Sequence, residues 1–229
     1  MEKNEIKILI SEDGSHTLYR PDLDETYHSK KGAIAESRHV FIEAGMDFIS
    51  DKKKGEKLTI FEVGFGTGLN AFLTLLWADQ RKIEVSYHTL EPFPLNQEVY
   101  SVLNYPDLLL EDGKKQDFML MHSSLQKQEV LISSHFSFTK HFTTLENFSA
   151  ILSVDVIFYD AFAPSKQKEV WALENLQKCY SFLKPRGVLV TYCANGQFKR
   201  DLKTVGFTVE VLPGPLGKKE MTRAIRETN

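Results

Sequence analysis

The chain has few of the residues that announce a metal, a disulfide or a membrane. Its two cysteines, Cys179 and Cys193, form no Cys-x-x-Cys pair. That argues against a zinc ribbon or a disulfide framework and predicts two buried thiols. The seven histidines show no His-Glu-x-x-His spacing, so no metal cofactor is expected. No stretch approaches the roughly 18 uninterrupted apolar residues of a membrane span. The opening, Met1-Glu-Lys-Asn-Glu, lacks the basic-then-apolar layout of a signal peptide. A cytoplasmic protein without membrane contact is the expectation. A net charge of −3 supplies no overall field toward nucleic acid, although it leaves room for a local basic patch. Repeats and low-complexity segments are also missing.

What is present fits one large α/β domain. At 229 residues, 42% of them apolar and 26% charged, the chain can bury a sizeable core. Residues 6–20 read as a β-hairpin around Asp13-Gly14. Residues 21–32 read as a polar loop. Apolar positions at helical spacing, from Ile34 through Val40 and Phe41 to Phe48, predict a helix over 33–50. A charged connector, 51–57, follows. The expected layout is an N-terminal hairpin and helix extension, 1–57, packed on a body spanning 58–229.

Strands and helices then alternate. Strands are predicted at 58–63, 84–91, 154–160 and 187–193. Helices are predicted at 69–80, 94–104, parts of 107–127, 168–183 and 196–204. Residues 129–142 alternate like paired strands, and two more strands close the chain around Pro213-Gly-Pro-Leu-Gly. Such alternation implies right-handed crossovers and a mostly parallel sheet with helices on both faces.

The organising stretch is Leu58-Thr-Ile-Phe-Glu-Val-Gly-Phe-Gly-Thr-Gly-Leu-Asn70. It reads as strand, tight turn and helix start. Gly64, Gly66 and Gly68 admit positive φ and let a ligand approach the backbone. Ligands in open α/β sheets sit beyond the carboxyl ends of the strands. Glu91 ends the second strand, where a carboxylate can accept both ribose hydroxyls; a charge in the first helical turn before Pro92 explains it as well. Asp160 ends the strand Val-Asp-Val-Ile-Phe-Tyr-Asp, and an acid there is costly without a role. The glycine spacing departs from the G-x-G-x-x-G of dinucleotide dehydrogenases. Glu62-Val-Gly-Phe-Gly-Thr-Gly68 resembles the first motif of class I S-adenosylmethionine-dependent methyltransferases instead.

Four segments together make a more specific resemblance. They are Gly64-Phe-Gly-Thr-Gly-Leu-Asn70, Asp160-Ala-Phe-Ala-Pro164, Val190-Thr-Tyr-Cys-Ala-Asn-Gly with Lys199-Arg200, and Gly214-Pro-Leu-Gly-Lys-Lys-Glu-Met221. The set resembles the methyltransferase domain of the MnmC family, from about Asp24 to the C-terminus. That likeness implies a class I, Rossmann-like fold with a seven-stranded sheet. It implies S-adenosyl-L-methionine as cofactor, and methylation of the primary amine of 5-aminomethyl-2-thiouridine at the tRNA wobble position. Some members carry a fused flavin-dependent oxidoreductase domain; this length leaves no room for it, so the stand-alone form is expected. Coupling to the enzymes that install the aminomethyl group would follow.

By the same resemblance, Gly64, Phe65, Gly66, Thr67, Gly68 and Asn70 would cradle the cofactor. Glu62 would meet its ammonium, a partly buried structural carboxylate bonded to the turn being the other reading, and Glu91 its ribose. Tyr27 and Glu36 would close the pocket or, equally well, anchor their loops. Asp160 would orient the acceptor amine and take its proton second. Phe162 would pack on the uridine ring or line the methyl path; a plain core aromatic reads equally well. Lys166, Lys199, Arg200, Lys203, Lys218, Lys219, Arg223 and Arg226 are candidates for tRNA phosphates. Two departures from the family pattern stand out. The third strand end, His141-Phe-Thr-Thr-Leu-Glu-Asn147, has no acid at its first polar positions to contact adenine, and Lys219 stands where Arg is frequent. Two rivals remain: a class I transferase acting on a small amine, aminopropyl transfer included, and an inactive S-adenosylmethionine-binding module.

Overall fold

The computed structural model describes residues 6–53, 55–110 and 112–228; the opening Met1–Glu5 lies outside them. The chain begins with β1 (Lys7–Ile10), β2 (His16–Arg20) and β3 (Glu25–Thr26), a three-stranded antiparallel sheet. The expected hairpin is there, and the expected loop contributes the third strand. Asp24, at φ 47°, turns the chain back onto β2. The short polar side chain of Asp tolerates that left-handed conformation.

Asp13 builds the hairpin turn and does more. Its Oδ1 accepts from Ser15 N–H at 3.0 Å, while Oδ2 accepts from Ala35 N–H at 3.1 Å. Ala35 lies in α1 (Ala33–Ser37), so the turn caps the helix that follows it. A π-helical stretch, Arg38–Asp47, and α2 (Phe48–Lys53) continue the same rod. A Cβ on Gly45 would sit 3.1 Å from Val190 Cγ2 and 3.3 Å from Phe158 Cε1. The rod therefore lies almost directly on the sheet.

The body follows in order: β4 (Leu58–Val63), α3 (Leu69–Arg81), β5 (Val85–Leu90), α4 (Gln97–Tyr100), α5 (Tyr105–Leu108), α6 (Lys115–Ser123), β6 (Glu129–Ser133), β7 (Phe136–His141), β8 (Val154–Tyr159), α7 (Leu173–Phe182), β9 (Leu183–Thr191), α8 (Gly196–Val205), β10 (Thr208–Pro213) and β11 (Glu220–Ile225). The sheet has eight strands rather than the expected seven, in the order β10-β11-β9-β8-β4-β5-β7-β6. The addition is β6, antiparallel to β7 at the sheet edge. Its alternating sequence predicted a strand, but not membership of the main sheet.

Other departures have local causes. The helix expected over 94–104 shrinks to α4, which begins only after Pro92 and Pro94. The one expected over 168–183 breaks at Ala172, whose ψ of 151° ends a 3-10 turn before α7. β9 starts at Leu183, not 187, because its register shifts across Pro185 and Arg186, the latter at φ 65°.

β4 is buried on both sides, as a central strand must be. Ile60 packs on one face with Phe41, Phe72 and Phe158, and Phe61 on the other with Leu176, Phe182 and Leu189. Strand order runs outward from β4 in one direction and from β8 in the other. The switch point lies between them, and a ligand belongs above it. Among the described residues no helix is long and apolar enough to cross a membrane.

Candidate active site

Register alone assembles the site. Val63 pairs with Leu90 on one side and Tyr159 on the other. The residues that follow, Gly64, Glu91 and Asp160, therefore stand in a row. Gly64 N–H donates to Leu90 O at 3.2 Å and Asp160 N–H to Val63 O at 3.0 Å. A cavity of about 370 Å³ opens over this row. Its lining follows strand order: Thr143 after β7, Glu91 after β5, Gly64 after β4, Asp160 after β8, Tyr192 after β9. Neighbouring strands lie about 4.8 Å apart, so the axis from Glu91 to Tyr192 is roughly 14 Å long.

At the β5 end, the glycine turn wraps tightly. Gly64 has φ 97°, and a Cβ there would lie 2.4 Å from the Asp160 carbonyl oxygen. Gly66 has φ 50°, and a Cβ would lie 2.9 Å from the Tyr27 ring. Only glycine fits either position. Glu91 closes the turn: Oε2 accepts from Gly66 N–H and Oε1 from Phe93 N–H, both at 2.8 Å. Burial raises its pKa, while these two bonds and the charge of Lys140 hold it down. A carboxylate offers about four lone pairs, so two remain for ribose hydroxyls. Phe65 lines the cavity, and its ring packs on His122 and Phe138.

Toward β8 stands Asp160. Burial pushes its carboxyl up to about 7; the bond from Asn70 and the charge of Lys218 pull it down, and the charge of Glu36 pushes it up. Asn70 Nδ2 donates to Asp160 Oδ2 at 2.8 Å and to Glu62 Oε1 at 3.1 Å. Glu62 is fully buried and does not line the cavity. It is a buried acid beneath the turn, pushed up to about 8 by burial against the bonds of Thr89 and Asn70. Gly68 and Asn70 likewise lie behind the lining.

The N-terminal segment forms the opposite wall. Tyr27 lies on Gly66 and meets the Phe162 ring edge-on, centroids 5.0 Å apart. His28 Nε2 is 2.7 Å from Thr67 Oγ1, and burial lowers its pKa to about 4, leaving the ring neutral. Glu36 accepts from Lys218 Nζ at 2.6 Å and from Ser29 N–H at 2.7 Å. Lys218 Nζ also sits 3.9 Å from the centre of the Tyr192 ring. Tyr27, Glu36, Phe162 and Lys218 thus join the cavity from four separate segments.

The remaining basic residues divide. Lys166 is exposed and 3.9 Å from Asp24. Lys199 pairs with Glu220 at 3.1 Å, and Arg200 donates to Gln197 at 2.8 Å. Lys203 and Lys219 are exposed. Arg223 is taken up by the fold: it bonds Glu210 at 2.6 Å and stacks on Phe48 at 3.6 Å. Arg226 donates to the Tyr180 carbonyl at 3.1 Å, beside the amino end of β9 and away from the cavity. Sequence reasoning missed Arg20, His28, Thr143, Thr144 and Tyr192, all of which line the cavity. The last three follow strand ends, the same signal that picks out Glu91 and Asp160.

The residues fit S-adenosyl-L-methionine. The cavity of about 370 Å³ lies over the glycine turn, and Glu91, whose two backbone bonds leave lone pairs free, lines it. A family model described as S-adenosyl-L-methionine-dependent methyltransferase matches residues 120–227. The tRNA 5-methylaminomethyl-2-thiouridine biosynthesis bifunctional protein MnmC of Cupriavidus metallidurans is 30% identical, over 94% of this chain and 33% of that protein. The chain spans about a third of the length of the curated relatives it matches. The crystal structure of MNMC2 from Aquifex aeolicus is 25% identical, with a TM-score of 0.81 over 100% of this chain and 72% of that one. Spermidine synthase from Thermotoga maritima, at 14% identity and TM-score 0.56 over 100% of this chain and 71% of its own, shares the fold. The chain is an S-adenosyl-L-methionine-dependent methyltransferase related to the MnmC methyltransferase domain.

Proposed function

We propose that this chain methylates the primary amine of 5-aminomethyl-2-thiouridine at the wobble position of tRNA. One observation carries the reading: a partly desolvated carboxyl, Asp160, stands beside the glycine turn with Phe162 on the loop just beyond it. The kinship with MnmC proteins supports the choice of acceptor. Residues 1–57 act as an extension that closes the cavity over the 58–229 body. The enzymes that install the aminomethyl group supply the substrate.

Bound S-adenosylmethionine supplies a methyl carbon on a sulfonium, which an amine lone pair takes as the carbon–sulfur bond breaks. An ammonium has no lone pair, so the protein must orient the group and remove one proton. Asp160 does both, first as hydrogen-bond acceptor and then as proton acceptor. Glu91 and the glycine turn fix the donor end, and alignment alone is worth about 7–11 kcal/mol in favourable cases. Phe162 and Tyr27 pack on the base and exclude water. Lys218, Lys166, Lys199, Arg200 and Lys219 meet tRNA phosphates, which makes binding weaken steeply with salt.

The test is incubation with labelled S-adenosylmethionine and tRNA lacking the final methyl group, followed by digestion and identification of the nucleoside. Label in the wobble nucleoside is expected. Label in a small amine but not in tRNA would favour a small-amine transferase, and cofactor binding without transfer an inactive module.

A further inference from the structure

Two acids on neighbouring strands share one amide. Asn70, in the first turn of α3, turns its Nδ2 to Glu62 Oε1 at 3.1 Å and to Asp160 Oδ2 at 2.8 Å. With Glu62 Oε1 and Asp160 Oδ2 unprotonated, the opposite amide orientation would aim an acceptor at two acceptors, so the hydrogens face the acids. Asn70 Oδ1 points elsewhere, is buried and has no partner. A buried acceptor left unpartnered is destabilising. The amide is therefore held for its two donors.

Glu62 is arranged to carry a proton. Oε1 accepts from Asn70, and Oε2 lies 2.7 Å from Thr89 Oγ1. A hydroxyl accepts as readily as it donates, so a protonated Oε2 already has its acceptor. Among the described residues no Lys, Arg or His forms an ion pair with Glu62. Two ionised carboxylates around one amide in so dry a place repel each other.

We propose that Asn70 is a positioning residue that couples the two acids. It holds Asp160 with Oδ1 free for the acceptor amine, and it leaves the pair with a single proton, resident on Glu62, until substrate arrives. The identity of that amine rests on the function proposed above; the coupling of the acids does not. An incoming ammonium gives one proton to Asp160 Oδ1 and becomes a neutral amine. The pair passes from one negative charge to none, and the total charge is unchanged. After transfer the proton leaves Asp160 through the cavity.

The other groups facing the pair are Tyr87 on β5, Glu36 on α1, Lys218 on the β10–β11 loop and Tyr192 after β9. Burial raises both tyrosines well above their ordinary range, so they stay neutral. Glu36 and Lys218 are bonded to each other at 2.6 Å. Glu62 and Asp160 are left as the groups that carry protons, Glu62 the resident one and Asp160 the one taken from the ammonium.

Infrared titration of the cofactor-free protein follows the carbonyl stretch of a protonated carboxyl and needs no tRNA. At about pH 7.5 the band is expected in the unaltered chain, lost in Glu62→Gln and kept in Asp160→Asn. Asn70→Leu, which removes both donors, should shift the band and lower turnover by about 10- to 100-fold, with cofactor affinity kept within about threefold. Asn70→Ser, restoring one donor, should recover part of the loss and serves if the leucine variant does not fold. A missing band, or one that disappears with Asp160→Asn instead, overturns the coupling. Cofactor affinity that falls in step with turnover makes Asn70 a cofactor residue and also overturns it. A normal band in a protein that fails to label tRNA counts against the proposed acceptor alone.

Discussion

Both oxygens of Glu91 already accept backbone N–H bonds, from Gly66 and Phe93. Its carboxylate therefore shapes the turn as well as facing the cavity. Glu91→Ala should weaken S-adenosylmethionine binding by about 10- to 100-fold, the worth of one or two hydrogen bonds to a charged group, as measured by calorimetry. Asp160→Asn should separate differently. It keeps the side-chain shape and lies on the acceptor side, so cofactor affinity should hold while turnover falls by about 100-fold or more. If binding and turnover fall together, Asp160 belongs to the cofactor. With the Asp160 carboxyl up at about 7, kcat/KM of the unaltered chain should drop as pH falls below that value and its acceptor form is lost. These acids are readable in the sequence because each directly follows an apolar β-run. Glu62 differs from them, and the structure fits the reading of it as a buried structural carboxylate. It sits within such a run, two residues before Gly64, and the inward side of a strand buried on both faces carries it under the turn instead of into the cavity.

Elements are legible where period and length agree. The run 58–63, the helix from Leu69 and the closing pair β10 and β11 all show this. They are obscure where a contact distant in sequence decides. No local pattern says that the turn at Asp13 caps α1, because Asp13 and Ala35 are joined only through the fold. Nor does any pattern place Glu36 opposite Lys218, which the β10–β11 loop delivers. The cap makes a test at this scale. Gly32, the residue at the N-cap position, has no side chain to offer, and Asp13 and Ser15 take over the helix N–H groups. Asp13→Ala should lower stability by about 1–2 kcal/mol, the usual worth of an N-terminal cap, read as a shift in the urea midpoint. Hydrogen exchange should quicken first at Ala33 and Ala35. An unchanged midpoint would mean that solvent caps α1 equally well and that the hairpin is docked by its apolar contacts.

The whole molecule carries its buried acids and histidines in opposition, and the sign of each can be worked out. His28 and His141 fall from 6.5 to about 4 and His122 to about 3, chiefly through burial. The unfolded chain binds more protons at these sites between those values and pH 6.5, so stability rises with pH across that window. Glu62 and Asp160 act the other way. Their folded values, about 8 and about 7, lie above the ordinary 4.5 and 3.8. The folded chain then holds protons that the unfolded chain has released, so the acids lose stability as pH rises from about 4 toward 8. Up to about pH 6.5 the two groups oppose each other; beyond it the histidines have finished and only the acids continue. Lys140, lowered to about 8 by burial, begins to matter only above that. The cofactor-free protein should therefore be most stable near pH 6 to 7 and lose stability toward pH 8. Denaturant midpoints taken along this range for the unaltered chain and for Glu62→Gln decide the matter. The glutamine keeps a carbonyl for Asn70 and has no proton to lose, so its alkaline decline should be shallower. An equally steep decline would place the lost protons elsewhere and would remove Glu62 as a site that stays protonated in the folded state.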